Sequence, residues 1–308
     1  MRLLLIVNTS ASAVTARARV VIRKALSADH EVSVAETTRR GSAARLAQDA
    51  ANAGADAVVV LGGDGTLNEA ANGLAGSDTA LAVLPGGSTN VFARTIGVAQ
   101  DPVEATGQLL AALSQGSRRR MGLGSVNGRH FLFHVGMGFD AAVVAQVERR
   151  AALKRYAGHP LFVYAGFATW FRHYDRSRPR LSVRHADGSL VDDGYLAICL
   201  NSNPYTYLGS RPLNVAPDAD PDTGLALVTF RTLEFASLLG IVASALGSGA
   251  WLRRHRRVDY RTGVAEATVT GYGPFPYQVD GDYLGESDRL SFRHEPDALT
   301  VVVPQSIM

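Results

Sequence analysis

This 308-residue chain has one cysteine and two lysines, and its positive and negative charges are nearly balanced. Its single cysteine, Cys199, cannot form an internal disulfide, and it excludes a zinc or iron–sulfur site built from several cysteines. Such cysteine usage is typical of a reducing cytosol. The short apolar run at residues 3–7 is not typical of a secretion signal. We therefore expect a cytoplasmic protein.

An excess of one charge sign is also missing. The chain has 31 Lys and Arg against 28 Asp and Glu, a net charge of +3, and we expect no nucleic-acid partner. Arginines cluster only at residues 118–120 and 253–257. Each cluster is interpreted as a solvated face or helix end, and attraction to anionic lipid is the alternative. A hydrophobic content of 46% is ordinary for a globular chain with a buried core.

One stretch, residues 235–252, has no charged residue over 18 positions, near the lower limit for a membrane-spanning helix. Glycines and serines interrupt it and charged residues flank it closely, so we reject a spanning helix. Its apolar residues do not form one clean stripe, and this predicts a helix that is buried on most of its circumference.

The chain divides into two parts with different sequence patterns. Short apolar runs at residues 3–7, 32–35, 57–61 and 80–84 alternate with helical patterns at 14–28, 42–54 and 67–76. This order predicts a mostly parallel sheet with helices on both faces. From about Met121 onward, short β-type runs separated by turn residues predict an antiparallel sheet or sandwich. We expect two domains, 1–121 and 122–295.

Several well-known motifs are missing. Neither lysine follows a glycine and no Gly-x-Gly-x-x-Gly occurs, which excludes the Walker-type NTPase and the dinucleotide fingerprint. No Gly-x-Ser-x-Gly or His-Glu-x-x-His occurs, which excludes a serine-hydrolase elbow and a zincin.

Glycine-rich loops follow the predicted strands instead. Residues 62–69 read Gly-Gly-Asp-Gly-Thr-Leu-Asn-Glu, and residues 85–94 read Pro-Gly-Gly-Ser-Thr-Asn-Val-Phe-Ala-Arg. Glycines after a parallel strand allow the backbone to approach a phosphate, and an embedded acid, Asp64, can hold Mg²⁺ against it. A tight strand-to-helix turn is the alternative. A third loop, residues 8–12, offers hydroxyls either to a nucleotide or to a helix cap.

These motifs resemble the diacylglycerol kinase catalytic-domain family, in particular its soluble bacterial lipid kinases. The first loop is common to lipid kinases, NAD kinases and 6-phosphofructokinases. The second loop, Gly136-Met137-Gly138-Phe139-Asp140-Ala141 and Val279-Asp280-Gly281-Asp282 narrow the resemblance to lipid kinases. Ser88, Val91 and Asp282 depart from the residues usual in that family.

The resemblance implies a fold and a set of nucleotide contacts. The fold is a three-layer α/β domain of the phosphofructokinase/NAD kinase type, to which residues 296–308 return, and a C-terminal antiparallel β-sandwich, with the nucleotide in the cleft between. The implied ATP-binding residues are Asn8, Thr9, Ser10, Ala11, Ser12, Thr37, Gly62, Gly63, Asp64, Gly65, Thr66, Leu67, Asn68, Glu69, Gly87 and Ser88.

Transfer to a hydroxyl requires a carboxylate near the phosphates to take its proton. The resemblance points to Asp280 and Asp282, with Asp64 as the third catalytic acid; which of the first two is the base stays open, and a hairpin turn is the alternative. It also implies a structural Mg²⁺ site at Asp220, Thr223 and the Leu225 carbonyl. Thr223 stands where an Asp is usual, so Asp222 compensates or the site is lost.

We therefore expect an ATP- and Mg²⁺-dependent kinase for diacylglycerol or a related lipid alcohol, giving phosphatidate, that visits the membrane surface. A homodimer is left open. Aromatic residues at 160–174 could line the lipid slot, although core packing explains most of them better. The alternatives are an NAD kinase-like enzyme and a non-catalytic nucleotide- or lipid-binding protein.

Overall fold

The computed structural model describes residues 1–149, 165–166, 168–170 and 174–304. The chain forms two compact units: unit 1 is Met1–Leu123 with Pro296–Met308, and unit 2 is Gly124–Glu295. The strands are β1 Arg2–Val7, β2 Glu31–Glu36, β3 Ala57–Gly62, β4 Ala80–Pro85, β5 Arg118–Val126, β6 Arg129–Phe131, β7 His134–Gly138, β8 Leu181–His185, β9 Leu190–Gly194, β10 Leu196–Leu200, β11 Thr206–Leu208, β12 Arg211–Leu213, β13 Leu225–Phe230, β14 Val258–Val264, β15 Glu266–Val279 and β16 Asp282–Val302. The helices are α1 Ala16–Leu26, α2 Ser42–Asn52, α3 Asp64–Leu74, α4 Val91–Thr95, α5 Pro102–Ser114, α6 Phe139–Glu148 and α7 Phe235–Leu246, and Leu252–Arg254 forms a short 3-10 helix.

Unit 1 is the expected parallel α/β unit. Its strands lie in the order β4-β3-β1-β2, all parallel, and Val301 of β16 pairs in parallel with Leu81 of β4. Strands β3 and β4 are buried at every position because helices cover both faces of the sheet. Helix α1 packs against α5, and α2 packs against α3. The α/β prediction is confirmed.

The strand order creates a switch point between β1 and β3. The chain runs outward from β1 to β2, then crosses back to β3 on the other side of β1. Ligands of open parallel sheets bind outside the carboxyl ends of the strands at such a point. The loops after β1 and β3, which contain the predicted phosphate contacts, therefore lie where the topology favours a ligand.

Helix α3 begins earlier than the sequence predicts. It starts at Asp64 rather than near residue 67, and only Gly63 separates it from β3. Gly63 adopts an extended N-cap conformation (φ −89°, ψ 179°) and supplies no side-chain cap. An acid in the first turn interacts favourably with the helix dipole, which explains the early start at Asp64.

Unit 2 is built from antiparallel strands, as predicted. Strand β7 pairs with β10 and β15, β10 with β13, β13 with β14, and β15 with β8 and β16. Strand β10 is buried on both faces: Ala197 and Cys199 face one apolar cluster, and Leu196, Ile198 and Leu200 face another. Cys199 is a free, buried thiol.

Helix α7 differs from the sequence prediction. Ile241 and Ala245 are buried against the second cluster, but Leu239 and Val242 are 52% and 46% exposed. The predicted burial on most of its circumference is therefore wrong. The sequence pattern is uniformly apolar, and such a pattern cannot show which face of a helix is left uncovered.

In the part of the chain that the structure describes, none of the helices combines the length and hydropathy that crossing a bilayer would require.

Candidate phosphotransfer site

The two glycine loops of unit 1 meet backbone to backbone. The Gly86 N–H donates to the Gly62 carbonyl (2.8 Å). A Cβ placed on Gly86 would lie 2.9 Å from Gly62 Cα, and a Cβ on Gly87 would lie 2.9 Å from Gly63 Cα. Only glycine allows this approach. The loops after β3 and β4 therefore form one continuous backbone surface.

Asp64 joins the same two loops through its side chain. The backbone N–H groups of Val91 and Phe92 donate to its Oδ2 (3.0 Å) and Oδ1 (3.3 Å). These donors are in the first turn of α4, whose N-cap residue makes no side-chain cap. The acid therefore caps α4 from α3, a structural role that the sequence analysis did not predict.

Two further polar residues of the first loop tie it to two other loops. Asn8 Nδ2 donates to Thr66 Oγ1 (2.8 Å), which links the loop after β1 to the loop after β3. Glu69 accepts from the N–H groups of Gly41 (2.7 Å) and Ala43 (3.1 Å) at the start of α2. Residues 64–69 thus hold the loops that follow β1, β2 and β4 in one arrangement.

The other predicted nucleotide residues differ in exposure. Leu67 and Asn68 are 3% and 1% exposed, and their contact with a nucleotide stays a prediction. Thr37 is half-buried, and its N–H donates to the Val7 carbonyl at 3.0 Å. Other predicted contacts in this loop cluster are partly or fully exposed to solvent: Thr9, Ser10, Ala11, Ser12, Gly63, Gly65, Gly87 and Ser88.

In unit 2, Asp280 and Gly281 form the two-residue turn between β15 and β16. Both have positive φ (48° and 83°), and Val279 pairs with Asp282, which is the geometry of a type I′ hairpin. The hairpin alternative of the sequence analysis is therefore realised. This turn is nevertheless buried, since Asp280 is only 4% exposed.

Buried Asp280 is held by three backbone donors. The N–H of Leu132 donates to its Oδ2 (2.7 Å), and those of Phe133 and His134 donate to its Oδ1 (3.0 Å each). Its own N–H donates to the His134 carbonyl (2.8 Å). These bonds fix the carboxylate and hold residues 132–134 to the hairpin. Asp282, which begins β16, is half-buried.

Another acid of unit 2, Asp140, belongs to the motif of residues 136–141, and the sequence analysis predicted no role for it. It lies in the first turn of α6, and it accepts from Tyr205 Oη (2.5 Å) and Gln278 Nε2 (3.0 Å). Gln278 Oε1 in turn accepts from the Gly281 N–H (2.8 Å), so this network connects α6 to the hairpin. Burial raises the pKa of Asp140, and the two hydrogen bonds partly offset that rise. The motif contained the acid, but Tyr205 and Gln278 have no signal in the sequence.

His134 completes this buried polar region. Its ring contacts the Tyr205 ring at a centroid distance of 4.2 Å, and burial lowers its pKa to about 3. The imidazole is therefore neutral at physiological pH. Its role in this region is therefore structural.

Comparison with known proteins identifies the family. Residues 2–126 match the family model described as "Diacylglycerol kinase catalytic domain". The chain is 30% identical over 279 residues to a Pseudomonas aeruginosa protein named "Probable lipid kinase YegS-like", across 90% of this chain and 86% of that protein. The chain belongs to the diacylglycerol kinase catalytic-domain family. The resemblance stated from the motifs is confirmed.

Solved structures agree on the fold of this diacylglycerol kinase family member. A diacylglycerol kinase structure from Bacillus anthracis superposes with a TM-score of 0.73 at 20% identity, over 100% of this chain and 98% of that one. An Archaeoglobus fulgidus NAD kinase in complex with ATP superposes with a TM-score of 0.54 at 12% identity, over 100% and 95% of the two chains. At these identities the likeness concerns the fold alone.

The Mg²⁺ loop predicted for this family member is closed by its own hydrogen bonds. Asp220 Oδ1 accepts from the Asp222 N–H (2.9 Å), and Thr223 Oγ1 donates to the Asp220 carbonyl (3.3 Å). Within residues 1–149, 165–166, 168–170 and 174–304, no group of three or more His, Cys, Asp or Glu residues could hold a metal. Leu225 is buried in β13. These contacts fit a solvated turn, and the structural Mg²⁺ site stays a prediction.

Four aromatic residues of the stretch 160–174, which could line a lipid slot but for most of which core packing is the better explanation, lie outside the described residues: Phe162, Tyr164, Phe167 and Phe171. Of the remainder, Trp170 Nε1 donates to the Leu233 carbonyl (3.0 Å) and Tyr174 Oη donates to the Tyr195 carbonyl (3.0 Å). These two residues pack within unit 2, as the core-packing interpretation predicts.

Proposed function

We propose that this protein is a lipid kinase that transfers the γ-phosphate of ATP to the hydroxyl of diacylglycerol or a related lipid alcohol, giving a phosphatidate-type product. The observation that carries the proposal is the glycine surface of unit 1 in a member of the diacylglycerol kinase family. Four glycines, Gly62, Gly63, Gly86 and Gly87, allow the backbones of the loops after β3 and β4 to meet beside the switch point of a parallel sheet.

Such a backbone surface suits a phosphate chain. The N-terminus of α3 is not capped by a side chain of Gly63, and helix N-termini attract phosphate through their N–H groups and dipole. We propose that the exposed hydroxyls of Ser10, Ser12 and Ser88 contact the nucleotide from the loops after β1 and β4. Phosphoryl transfer needs mainly positioning and neutralisation of charge, which this surface would supply.

Mg²⁺ fits the donor set at Asp64. A carboxylate is a ligand type that Mg²⁺ prefers, and this one lies where the two glycine loops meet. We propose that Asp64 would hold Mg²⁺, directly or through water; the ion would neutralise the phosphate charge. The same carboxylate would then organise the loops and position the metal.

The proton of the acceptor hydroxyl needs a base. As the hydroxyl oxygen bonds to the γ-phosphorus, the bond to the β-phosphate oxygen breaks, ADP leaves, and the proton passes to a carboxylate. We assign this role to Asp282, since Asp280 is 4% exposed and bound by three N–H donors. In this proposal Asp280 shapes the hairpin that positions Asp282.

The test is phosphate transfer from γ-labelled ATP to mixed micelles of diacylglycerol, ceramide or sphingosine, and in parallel to NAD, with and without Mg²⁺. We expect a labelled lipid that requires Mg²⁺. Asp282→Asn should lower kcat by about 100-fold or more, in the range of a lost general base, while the ATP KM changes little. Asp288→Asn, an exposed acid on the same strand, is the matched control.

Other outcomes would favour the alternatives. Label on NAD rather than on a lipid would show an NAD kinase-like enzyme. Measurable ATP binding without transfer to any acceptor, in a protein folded like the wild type, would replace the kinase by a nucleotide-binding protein. Equal kcat for wild type and Asp282→Asn would remove Asp282 as the base and leave the kinase proposal intact.

A further inference from the structure

The outward face of helix α7 has no charged side chain. Phe235, Leu239, Val242 and Leu246 are 40%, 52%, 46% and 38% exposed. Their spacing of four, three and four residues places them on one stripe of the helix. The opposite face, with Ile241 and Ala245, packs into unit 2. An ordinary surface helix has polar residues on its outward face, whereas α7 has apolar residues there.

A tryptophan lies beside this helix. The indole of Trp251 lies against α7, where a Cβ on Gly240 would be 3.1 Å from Trp251 Cη2, and its ring is 4.1 Å from that of His255. Trp251 is 44% exposed. We call Phe235, Leu239, Val242, Leu246 and Trp251 the α7 surface. Tryptophan suits the boundary between an apolar and an aqueous medium because its body is apolar and its N–H is polar.

Positive charge lies beside the α7 surface. Arg253 binds Asp218 (2.7 Å), and Arg257 binds Glu234. Arg254 and Arg256 are exposed, and neither forms an ion pair with any residue that the structure describes. An apolar stripe with adjoining arginines combines the two attractions that hold a helix in the interface of an anionic bilayer.

We propose that the α7 surface docks onto an anionic lipid bilayer, with Trp251 and the α7 stripe entering the headgroup boundary and Arg254 and Arg256 contacting the lipid charges. The charge favours a bilayer over a second copy of the chain. Two copies joined symmetrically through this face would bring their Arg254 and Arg256 together, and like charges would repel. The docking is independent of the proposed function, because it requires neither nucleotide nor acceptor.

Vesicle binding without ATP or diacylglycerol tests the proposal. The protein is sedimented with vesicles of phosphatidylcholine alone or with a third of phosphatidylglycerol. We expect binding to the anionic vesicles and at least ~10-fold weaker binding to the neutral ones, since each arginine near the surface contributes about 1 kcal/mol. Leu239→Gln with Val242→Gln should weaken binding by ~10-fold or more, because burying one large apolar side chain is alone worth about 1.5–3 kcal/mol.

Matched controls separate this surface from general effects. Val20→Gln replaces another apolar residue, 67% exposed, on α1, and should leave binding unchanged. Arg254→Gln with Arg256→Gln should weaken binding to anionic vesicles by ~10-fold, whereas Arg23→Gln with Lys24→Gln, which removes the same charge from the last turn of α1, should change it less than twofold.

Fluorescence locates the contact. Brominated lipid should quench the wild type, and most of that quenching should disappear in Trp251→Phe, which leaves Trp170 as the other tryptophan. Equal vesicle binding by the wild type and the Leu239 and Val242 double variant would overturn the proposal. So would a wild-type dimer that this double variant converts to a monomer in sedimentation, because the surface would then join two copies.

Discussion

Replacement of Asp280 by asparagine should destabilise unit 2 before it affects any chemistry. Asparagine has nearly the same shape and tolerates the positive φ of 48°, so the change removes charge without adding backbone strain. With the amide oxygen at the Oδ1 position, the NH₂ group would face the Leu132 N–H, which now donates at 2.7 Å. One buried N–H loses its acceptor, and two charge-assisted hydrogen bonds become neutral.

The expected loss is about 3–5 kcal/mol. An unsatisfied buried donor costs about 1–3 kcal/mol, and each bond that loses its charge costs about 1 kcal/mol more. A typical domain has only about 5–15 kcal/mol of stability, so the variant should unfold at much lower urea concentrations.

Tryptophan fluorescence during urea unfolding measures this directly, because both tryptophans, Trp170 and Trp251, belong to unit 2. Asp288→Asn, on the same strand but exposed, should stay within about 0.5 kcal/mol of the wild type. An Asp280→Asn variant as stable as that control would refute the assignment of Asp280 to the fold, and a loss of its activity would then indicate a role in catalysis.

Four further predictions concern single positions. Gly136→Ala should destabilise unit 2 by at least ~2 kcal/mol in urea unfolding, because its Cβ would lie 1.5 Å from Asp140 Oδ2; wild-type stability would disprove the contact. Gly86→Ala should raise the KM for ATP by ~10-fold or more, whereas Gly107→Ala, which meets no atom within 4 Å in α5, should stabilise the protein by about 0.5–1 kcal/mol. Glu69→Gln should raise the ATP KM with little change in kcat, since it loosens α2 from the nucleotide loops; an effect on kcat alone would contradict this. The folded-state pKa of His134, about 3, lies below its ordinary value of 6.5, so the unfolded chain binds the proton first and stability falls as the pH drops from 6.5 toward 3; this loss, about 2 kcal/mol between pH 7 and 5, should be absent in His134→Phe.

The sequence predicted well what depends on local pattern. The alternation of apolar strands and helices indicated the parallel unit, and the glycine loops indicated the close approach of the backbones after β3 and β4. Both follow from short-range rules: apolar periodicity fixes the element, and glycine marks a close approach of backbones.

The sequence did not predict which residues far apart in the chain contact one another. The tie from Glu69 to Gly41 and the hydrogen bonds from residues 132–134 to Asp280 join positions 28 to 148 residues apart. The sequence alone does not distinguish a carboxylate that faces a substrate from one that caps a helix. For that reason Asp64, Glu69 and Asp280 were expected at the nucleotide or the chemistry, and their structural partners were not.

Because Asp280 holds the buried hairpin, its presence alone does not distinguish active relatives from inactive ones. A descendant that lost the ability to transfer phosphate would still need this aspartate to fold, because residues 132–134 depend on it for their hydrogen bonds. Selection for a stable chain would therefore preserve Asp280 long after selection for turnover had ended. Two positions later, the proposed base Asp282 is half-buried, and if it serves the chemistry alone, loss of the carboxylate at that position would mark a relative that no longer transfers phosphate.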